Sequence, residues 1–254
     1  MIEEMWQSGE DPQPMLRYLI GTDEPRVQSV EAFLNTRGSG RKLRLFACAC
    51  YHRISRFLPH PVARETVSTA ERFADGAVSV AEFRAAEAAV RELVTALEPR
   101  WRASTGAERE ALHPTHAALA LAGIVCWWES QKAAYYAASN AHLELPYLAN
   151  PGVEPRGSEC GRYERAEKRA QCELLREMFG NPFRSVAFSS LWRTSTAAAI
   201  AKQMYEARDF SAMPILADAL QDAGCDSADA LGHCRGPGPH VYGCWVADLV
   251  FSKE

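Results

Sequence analysis

The sequence predicts an all-α fold of nine to ten helices, arranged as a multi-helix bundle or as a short helical array. Through most of its 254 residues, apolar side chains recur at three- and four-residue steps. No run alternates convincingly with the period of two that is typical of a strand. Capping residues, prolines and glycines stand at the ends of the periodic stretches. The hydrophobic fraction of 47% and the charged fraction of 24% are those of an ordinary soluble globular protein.

The helices of the first quarter of the chain are indicated by their starts and by their apolar faces. Two prolines precede a helix over residues 15–20, as is common at a helix start. Residues 39–58 form the clearest amphipathic stretch, with apolar residues in one stripe. That stripe consists of Leu43, Phe46, Ala47, Cys50, Ile54 and Phe57. A further helix is predicted over residues 61–74, ending at Gly76.

The middle of the chain contains two further helical segments. Ser79 and Glu82 form a capping box, which begins a helix that should end near Glu98 because Pro99 follows. An alanine-rich segment over residues 107–142 predicts one bent helix, or a short helix followed by a long one that carries Trp127-Trp128. Adjacent aromatic residues cannot both face one core, so at least one of that pair belongs to a second interface or to the surface.

A segment rich in proline and glycine, residues 145–163, predicts a loop. We take it as the boundary between an N-terminal helical lobe, residues 1–144, and a C-terminal helical lobe, residues 164–254, although a single domain is compatible with the same pattern. The last predicted helices span residues 165–179, 189–207, 209–223, a short segment from 226, and 241–251, the last being a helix or a strand.

Charge and cysteine content indicate a cytoplasmic protein. The net charge of -4 gives no general attraction to nucleic acid or to an anionic membrane. The N-terminus lacks the basic and apolar regions of a secretory signal, and the longest apolar stretch, residues 117–128, is too short to span a bilayer. Eight cysteines without a signal peptide predict reduced thiols. Four of them, in helical apolar patterns, are expected in the core: Cys48, Cys50, Cys126 and Cys172.

One group of metal-ligating residue types stands out near the C-terminus. Three cysteines and two histidines fall within twenty positions around a Gly-Pro-Gly-Pro turn: Cys225, His233, Cys234, His240 and Cys244. On a helix, the histidine at 240 and the cysteine at 244 would share a face, which would give zinc one ligand pair. The alternative, which we favour, is that Cys225 and Cys244 are buried core thiols and that His240 packs against a helix start. The sequence therefore predicts no cofactor, with zinc as the alternative.

A second group is a basic helix, with six cations and no acid between Arg37 and Arg56. Five of these cations lie opposite the apolar stripe and would offer a surface to phosphate groups: Arg41, Lys42, Arg44, Arg53 and Arg56. The alternative is internal pairing with the acidic C-terminal region, where eight acids face three bases from Glu206 onward. We favour internal pairing, or a plain solvated face, over nucleic-acid binding, because exposed aromatic residues suited to base stacking are few among these cations.

Four segments together resemble a large, uncharacterised family of bacterial proteins common in planctomycetes. They are Lys42-Leu-Arg-Leu-Phe-Ala-Cys-Ala-Cys50, Phe179-Gly-Asn-Pro-Phe183, Ile215-Leu-Ala-Asp-Ala-Leu-Gln-Asp-Ala-Gly-Cys225 and His233-Cys-Arg-Gly-Pro-Gly-Pro-His-Val-Tyr-Gly-Cys-Trp245. The resemblance spans nearly the whole chain. It implies no activity and assigns no functional residue.

The sequence identifies no active site and does not decide whether the protein is an enzyme. There is no phosphate-binding loop and no nucleophile motif. Spaced carboxylates such as Asp218 and Asp222 are equally typical of a solvated helical face. The leading hypothesis is a protein–protein interaction or regulatory module, whose partner is another protein or a second copy. The alternatives are a zinc module or metal-dependent enzyme using the Cys/His group, and nucleic-acid binding through the basic helix.

Overall fold

The computed structural model describes residues 1–21, 39–151 and 157–253. These residues form twelve α-helices and two short 3₁₀ turns, and no strand occurs among them. The all-α class is therefore confirmed, and the count exceeds the nine to ten helices predicted. The 3₁₀ turns are Ser55–Phe57 and Ser190–Trp192. The helices are α1 Glu3–Ser8, α2 Pro12–Ile20, α3 Gly40–Ile54, α4 Pro61–Ala74, α5 Val80–Ala103, α6 Gly106–Val125, α7 Ser130–Ala149, α8 Ser158–Phe179, α9 Ser195–Ala207, α10 Met213–Asp222, α11 Ala228–Arg235 and α12 Trp245–Phe251.

The chain divides into two compact units. The larger comprises Gly9–Cys172, and the smaller comprises Met1–Ser8 together with Glu173–Glu254. The division lies inside α8, whereas the sequence suggested a boundary over residues 145–163. Within that predicted loop, α7 includes Pro146 and continues to Ala149, and α8 begins at Ser158. Among the described residues, no helix combines the length and the apolar character needed to cross a bilayer.

The larger unit is organised around α3, which packs against α4, α6 and α7. The Ser39 hydroxyl caps α3 by accepting a hydrogen bond from the Lys42 amide at 3.1 Å. Arg44 is buried in this unit and donates to the carbonyls of Val125 and Trp128 at 2.8 and 2.9 Å. These bonds satisfy carbonyls at and just beyond the end of α6. The alanine-rich segment is interrupted there and belongs to two helices, α6 and α7.

Two features differ from the sequence-based expectation: the end of α5 and the position of Trp127 and Trp128. The capping box of Ser79 and Glu82 is present, but α5 continues through Pro99 and ends at Ala103. The tryptophans at 127 and 128 lie in the connection between α6 and α7 rather than on a helix. The second of them is 53% exposed.

The smaller unit has its own apolar core, formed by α9 to α12. Buried side chains from these helices include Met204, Leu216 and Val246. The N-terminal helix α1 belongs to the same unit, with Trp6 fully buried. Its indole Nε1 donates to the Gly180 carbonyl at 2.9 Å, just beyond the end of α8. The end of α8 is therefore held within the smaller unit.

Candidate metal centre

Four potential metal ligands converge within the smaller unit: Glu177, His233, His240 and Cys244. The glutamate lies in the last turn of α8, and the first histidine lies in the last turn of α11. The second histidine and the cysteine belong to the non-helical connection between α11 and α12, with the cysteine immediately before α12. The four ligand atoms all lie within 4.8 Å of one another.

The shortest separations match the spacing of a tetrahedral site. His233 Nε2 lies 3.2 Å from Glu177 Oε2 and 3.3 Å from Cys244 Sγ. His240 Nδ1 lies 3.2 Å from the same carboxylate oxygen. Around a zinc ion, ligands at their usual bond lengths are separated by about 3.3 to 3.8 Å. The three separations lie at or just below that range, and all the others in the group stay within 4.8 Å.

A tight turn brings the second histidine to the centre. Gly238 has a φ of +84°, and a Cβ atom there would lie 2.8 Å from the His240 amide nitrogen. Only glycine tolerates both conditions at once. The expectation that His240 and Cys244 share a helical face is wrong, because residues 236–244 are not helical. The turn, rather than helical spacing, places both residues at the site.

The Glu177 carboxylate is almost fully buried, with 3% of the residue exposed. Burial raises its pKa, but hydrogen bonds and charge from His233 and His240 outweigh burial, and its pKa lies below the ordinary value. The backbone N–H of Val241 adds a further hydrogen bond at 3.4 Å. The site thus stabilises a negative charge at a place that solvent hardly reaches.

His240 has an acceptor opposite each ring nitrogen. Its Nε2 faces the Gly236 carbonyl at 3.2 Å, so this nitrogen carries a proton. Its Nδ1 faces the Glu177 carboxylate, whose hydrogen bond raises the pKa of His240. In the metal-free protein the imidazolium form fits this arrangement. With a metal bound at Nδ1, the same Nε2–H bond to a backbone carbonyl would orient the ring, as is common for metal-binding histidines.

Cys244 is unsuited to nucleophilic catalysis. It is fully buried, and burial, followed by the charge of Glu177, raises its pKa well above the ordinary value. His233 also uses one and the same nitrogen, Nε2, toward the thiol and toward the carboxylate. In a catalytic triad the acid and the nucleophile contact opposite nitrogens of the histidine. The side chains therefore converge on one point, as metal ligands do, and do not form a chain that could transfer a proton from the thiol to the carboxylate.

The charges of this set suit a divalent cation. A thiolate and a carboxylate together carry two negative charges, which a divalent ion would neutralise, while both histidines bind as neutral imidazoles. The histidine side chains at 233 and 240 are only 17% and 11% exposed. Four protein ligands with little solvent access are typical of a structural zinc site, whereas a catalytic site leaves a position open.

The structure brings together three of the five residues that the sequence singled out. Cys225 and Cys234 lie outside the ligand group, although they belong with Cys244 to the buried apolar cluster of the smaller unit. Burial raises the pKa of Cys234 to about 12, as expected for a core thiol. The fourth member, Glu177, was missed. The sequence contains little signal for it, because Glu177 stands next to Arg176 between the apolar pairs Leu174-Leu175 and Met178-Phe179, as a charged residue on an amphipathic helix commonly does.

The cations of the basic helix are largely engaged inside the larger unit. Arg41 contacts Asp75 at 2.6 Å, and Arg53 contacts Glu167 at 2.9 Å. These partners replace the acidic C-terminal region that the sequence suggested. The remaining three candidates are distributed as follows: Arg44 is buried, the Arg56 guanidinium lies over the Phe57 ring, and Lys42 is half-buried. Arg37 lies outside the described residues.

Comparison of the chain with protein-family models, with curated proteins and with solved structures gives no match. The resemblance to the planctomycete family therefore stays a prediction. Function has to be argued from the geometry of this site.

Proposed function

We propose that this protein is a metal-binding module that holds one zinc ion at Glu177, His233, His240 and Cys244. The observation that carries the proposal is the convergence of the four ligand atoms in a buried place within one compact unit. Thiolate and imidazole ligands favour zinc over magnesium or calcium, which prefer oxygen. The ion would tie the end of α8 to the segment that leads into α12 and would support a regulatory or structural role.

The first test is the metal content of the purified protein, measured by mass spectrometry. We expect about one zinc ion per chain. Replacing one ligand, in Cys244→Ala, should remove the ion, because three remaining ligands hold zinc much more weakly. Cys225→Ala is the matched control, since it removes a buried thiol of the same unit that lies outside the ligand group. Absence of zinc from the wild type, or retention of zinc by Cys244→Ala, would contradict the proposal.

Binding of another protein or of a second copy remains a second candidate, favoured by one surface feature of the larger unit. A groove of about 460 Å³ is lined by Trp127, Trp128 and Tyr136 together with charged residues. Large exposed aromatic side chains are enriched where proteins bind each other.

A nucleic-acid role is disfavoured by the internal engagement of Arg41, Arg44 and Arg53. A cytoplasmic location stays a prediction from the cysteine content of the sequence.

A further inference from the structure

We infer that Tyr205 is a positioning residue for the Cys244 ligand, an inference that rests on the proposed zinc centre. Tyr205 lies in α9 and is buried. Its hydroxyl donates a hydrogen bond to the Asp248 carboxylate and accepts one from the Gly243 amide at 3.2 Å. Gly243 immediately precedes the ligand. One hydroxyl therefore links α9 both to the ligand-bearing turn and to α12.

The second anchor of the ligand is Asp248, which is fully buried in α12. Its backbone N–H donates to the Cys244 carbonyl at 2.9 Å, while its side chain receives the Tyr205 hydroxyl. A buried carboxylate is costly unless it is hydrogen-bonded, so this contact fixes the side chain. The Tyr205 hydroxyl is thus bonded to the residue before Cys244 and to the side chain of Asp248, whose backbone bonds to Cys244 itself.

The turn at Gly243 needs such an anchor. Its φ is +93°, a backbone conformation that glycine adopts freely. Because glycine adopts other conformations as readily, a contact with another residue is needed to hold this one. Metal ligands have to be held close to the productive geometry by surrounding hydrogen bonds, and loss of such support typically weakens metal binding 10- to 100-fold. The Tyr205 hydroxyl supplies this support for the sulfur ligand.

The role belongs to the hydroxyl and can be separated from that of the ring. The ring packs against Tyr242 and Phe251, with centroids 4.5 and 5.2 Å away. Tyr205→Phe keeps these apolar contacts and removes the hydroxyl together with its hydrogen bonds to Asp248 and Gly243. Tyr51→Phe is a matched control, because Tyr51 is a fully buried tyrosine of the larger unit whose hydroxyl has no hydrogen-bond partner among the described residues.

The test measures zinc affinity by competition with a chromophoric chelator, together with the thiolate-to-metal charge-transfer band of the cobalt-substituted protein. For Tyr205→Phe we expect about tenfold weaker zinc binding and a weaker or shifted cobalt–thiolate band. Tyr51→Phe should match the wild type in both. A second variant, Asp248→Asn, keeps an acceptor for the Tyr205 hydroxyl and should bind zinc more tightly than Tyr205→Phe.

The possible outcomes distinguish a failure of the proposed zinc centre from a failure of the role inferred for Tyr205. If the wild type binds neither zinc nor cobalt, the metal centre is wrong and the role of Tyr205 falls with it. If the wild type binds zinc and Tyr205→Phe binds it equally well with an unchanged cobalt band, only the positioning role is overturned. A variant that is merely less stable to heat, with the same affinity and spectrum, overturns it as well.

Discussion

At the scale of single residues, Glu177 and His240 stabilise each other's charged forms in the metal-free protein. The lowered pKa of the carboxyl contributes stability that is present above its ordinary value of 4.5 and is lost as the pH falls through the lower folded value. The raised pKa of the imidazole contributes stability that is present below its ordinary value of 6.5 and is lost as the pH rises through the higher folded value. The pair therefore stabilises the fold most between these ordinary values.

This pair predicts the pH dependence of the metal-free protein. From about pH 6 to about pH 8 its free energy of unfolding, measured with urea, should fall more steeply than that of His240→Gln, because the variant has no imidazolium to lose. Zinc affinity should change in the opposite direction and rise with pH, since the ion displaces protons from His240 and Cys244. Equal urea profiles for the two proteins would show that the pair contributes nothing.

Residue identity explains which ligands the sequence could indicate. His233, His240 and Cys244 belong to residue types that bind metals and lie within twelve positions, so a local pattern is sufficient. Glu177 is a common residue on an amphipathic helix and lies far from the others in sequence. Only the folded smaller unit shows that its carboxylate faces the histidines, because that placement depends on the packing of α8 against the C-terminal segment.

At the scale of elements, the turn between α11 and α12 determines the position of the ligand His240 more directly than either helix does. Gly238→Ala would combine a positive φ with a clash at the His240 amide. We expect it to lower the free energy of unfolding by about 2 kcal/mol and to weaken zinc binding at least about tenfold. The measurements are urea unfolding and chelator competition.

Gly224→Ala is the control for this prediction. Its φ of +86° is nearly the same, but a Cβ atom there would meet nothing within 4 Å. This variant should cost about 1 kcal/mol for the backbone alone and should leave zinc affinity unchanged. If both variants bind zinc equally, the turn does not place His240.

Element boundaries were predictable where a local chemical signal decides them. Ser79 with Glu82 begins α5 through hydrogen bonds within four residues, and both bonds are present. At the end of α6, by contrast, the Val125 carbonyl accepts a hydrogen bond from Arg44, a residue some eighty positions away. A sequence pattern contains no information about such a distant donor, so the alanine-rich segment could be read as one helix or two.

At the scale of the whole molecule, the zinc ligands are confined to the smaller unit. Removal of the ion should therefore lower amide hydrogen-exchange protection in residues 1–8 and 173–253 and leave that of residues 39–151 unchanged. Exchange measured by mass spectrometry on zinc-loaded and chelator-treated protein checks this. Loss of protection spread evenly over both units would contradict it. We expect the metal-free smaller unit to stay folded, because Cys244 is the one proposed ligand within its buried apolar cluster and the other members of that cluster lie outside the site.

The organisation into units was the part least accessible to sequence reasoning. Proline and glycine over residues 145–163 suggested a boundary, yet the contacts divide the chain within the continuous helix α8. The N-terminal helix joins the smaller unit through Trp6, whose partner Gly180 is 174 positions away. Contacts between residues so distant in sequence depend on the complete fold, and no local pattern encodes them.

The position of Glu177 in the chain has a consequence for the unfolded state. It precedes His233 by 56 positions, whereas the other three ligands lie within twelve. An ion held by all four residues closes a long loop, much as a disulfide does, and excludes extended conformations of the unfolded chain. In the chain-entropy description a loop of this length is worth about 4 kcal/mol, against about 3 kcal/mol for the short one. Through this one carboxylate, the zinc ion becomes a long-range cross-link.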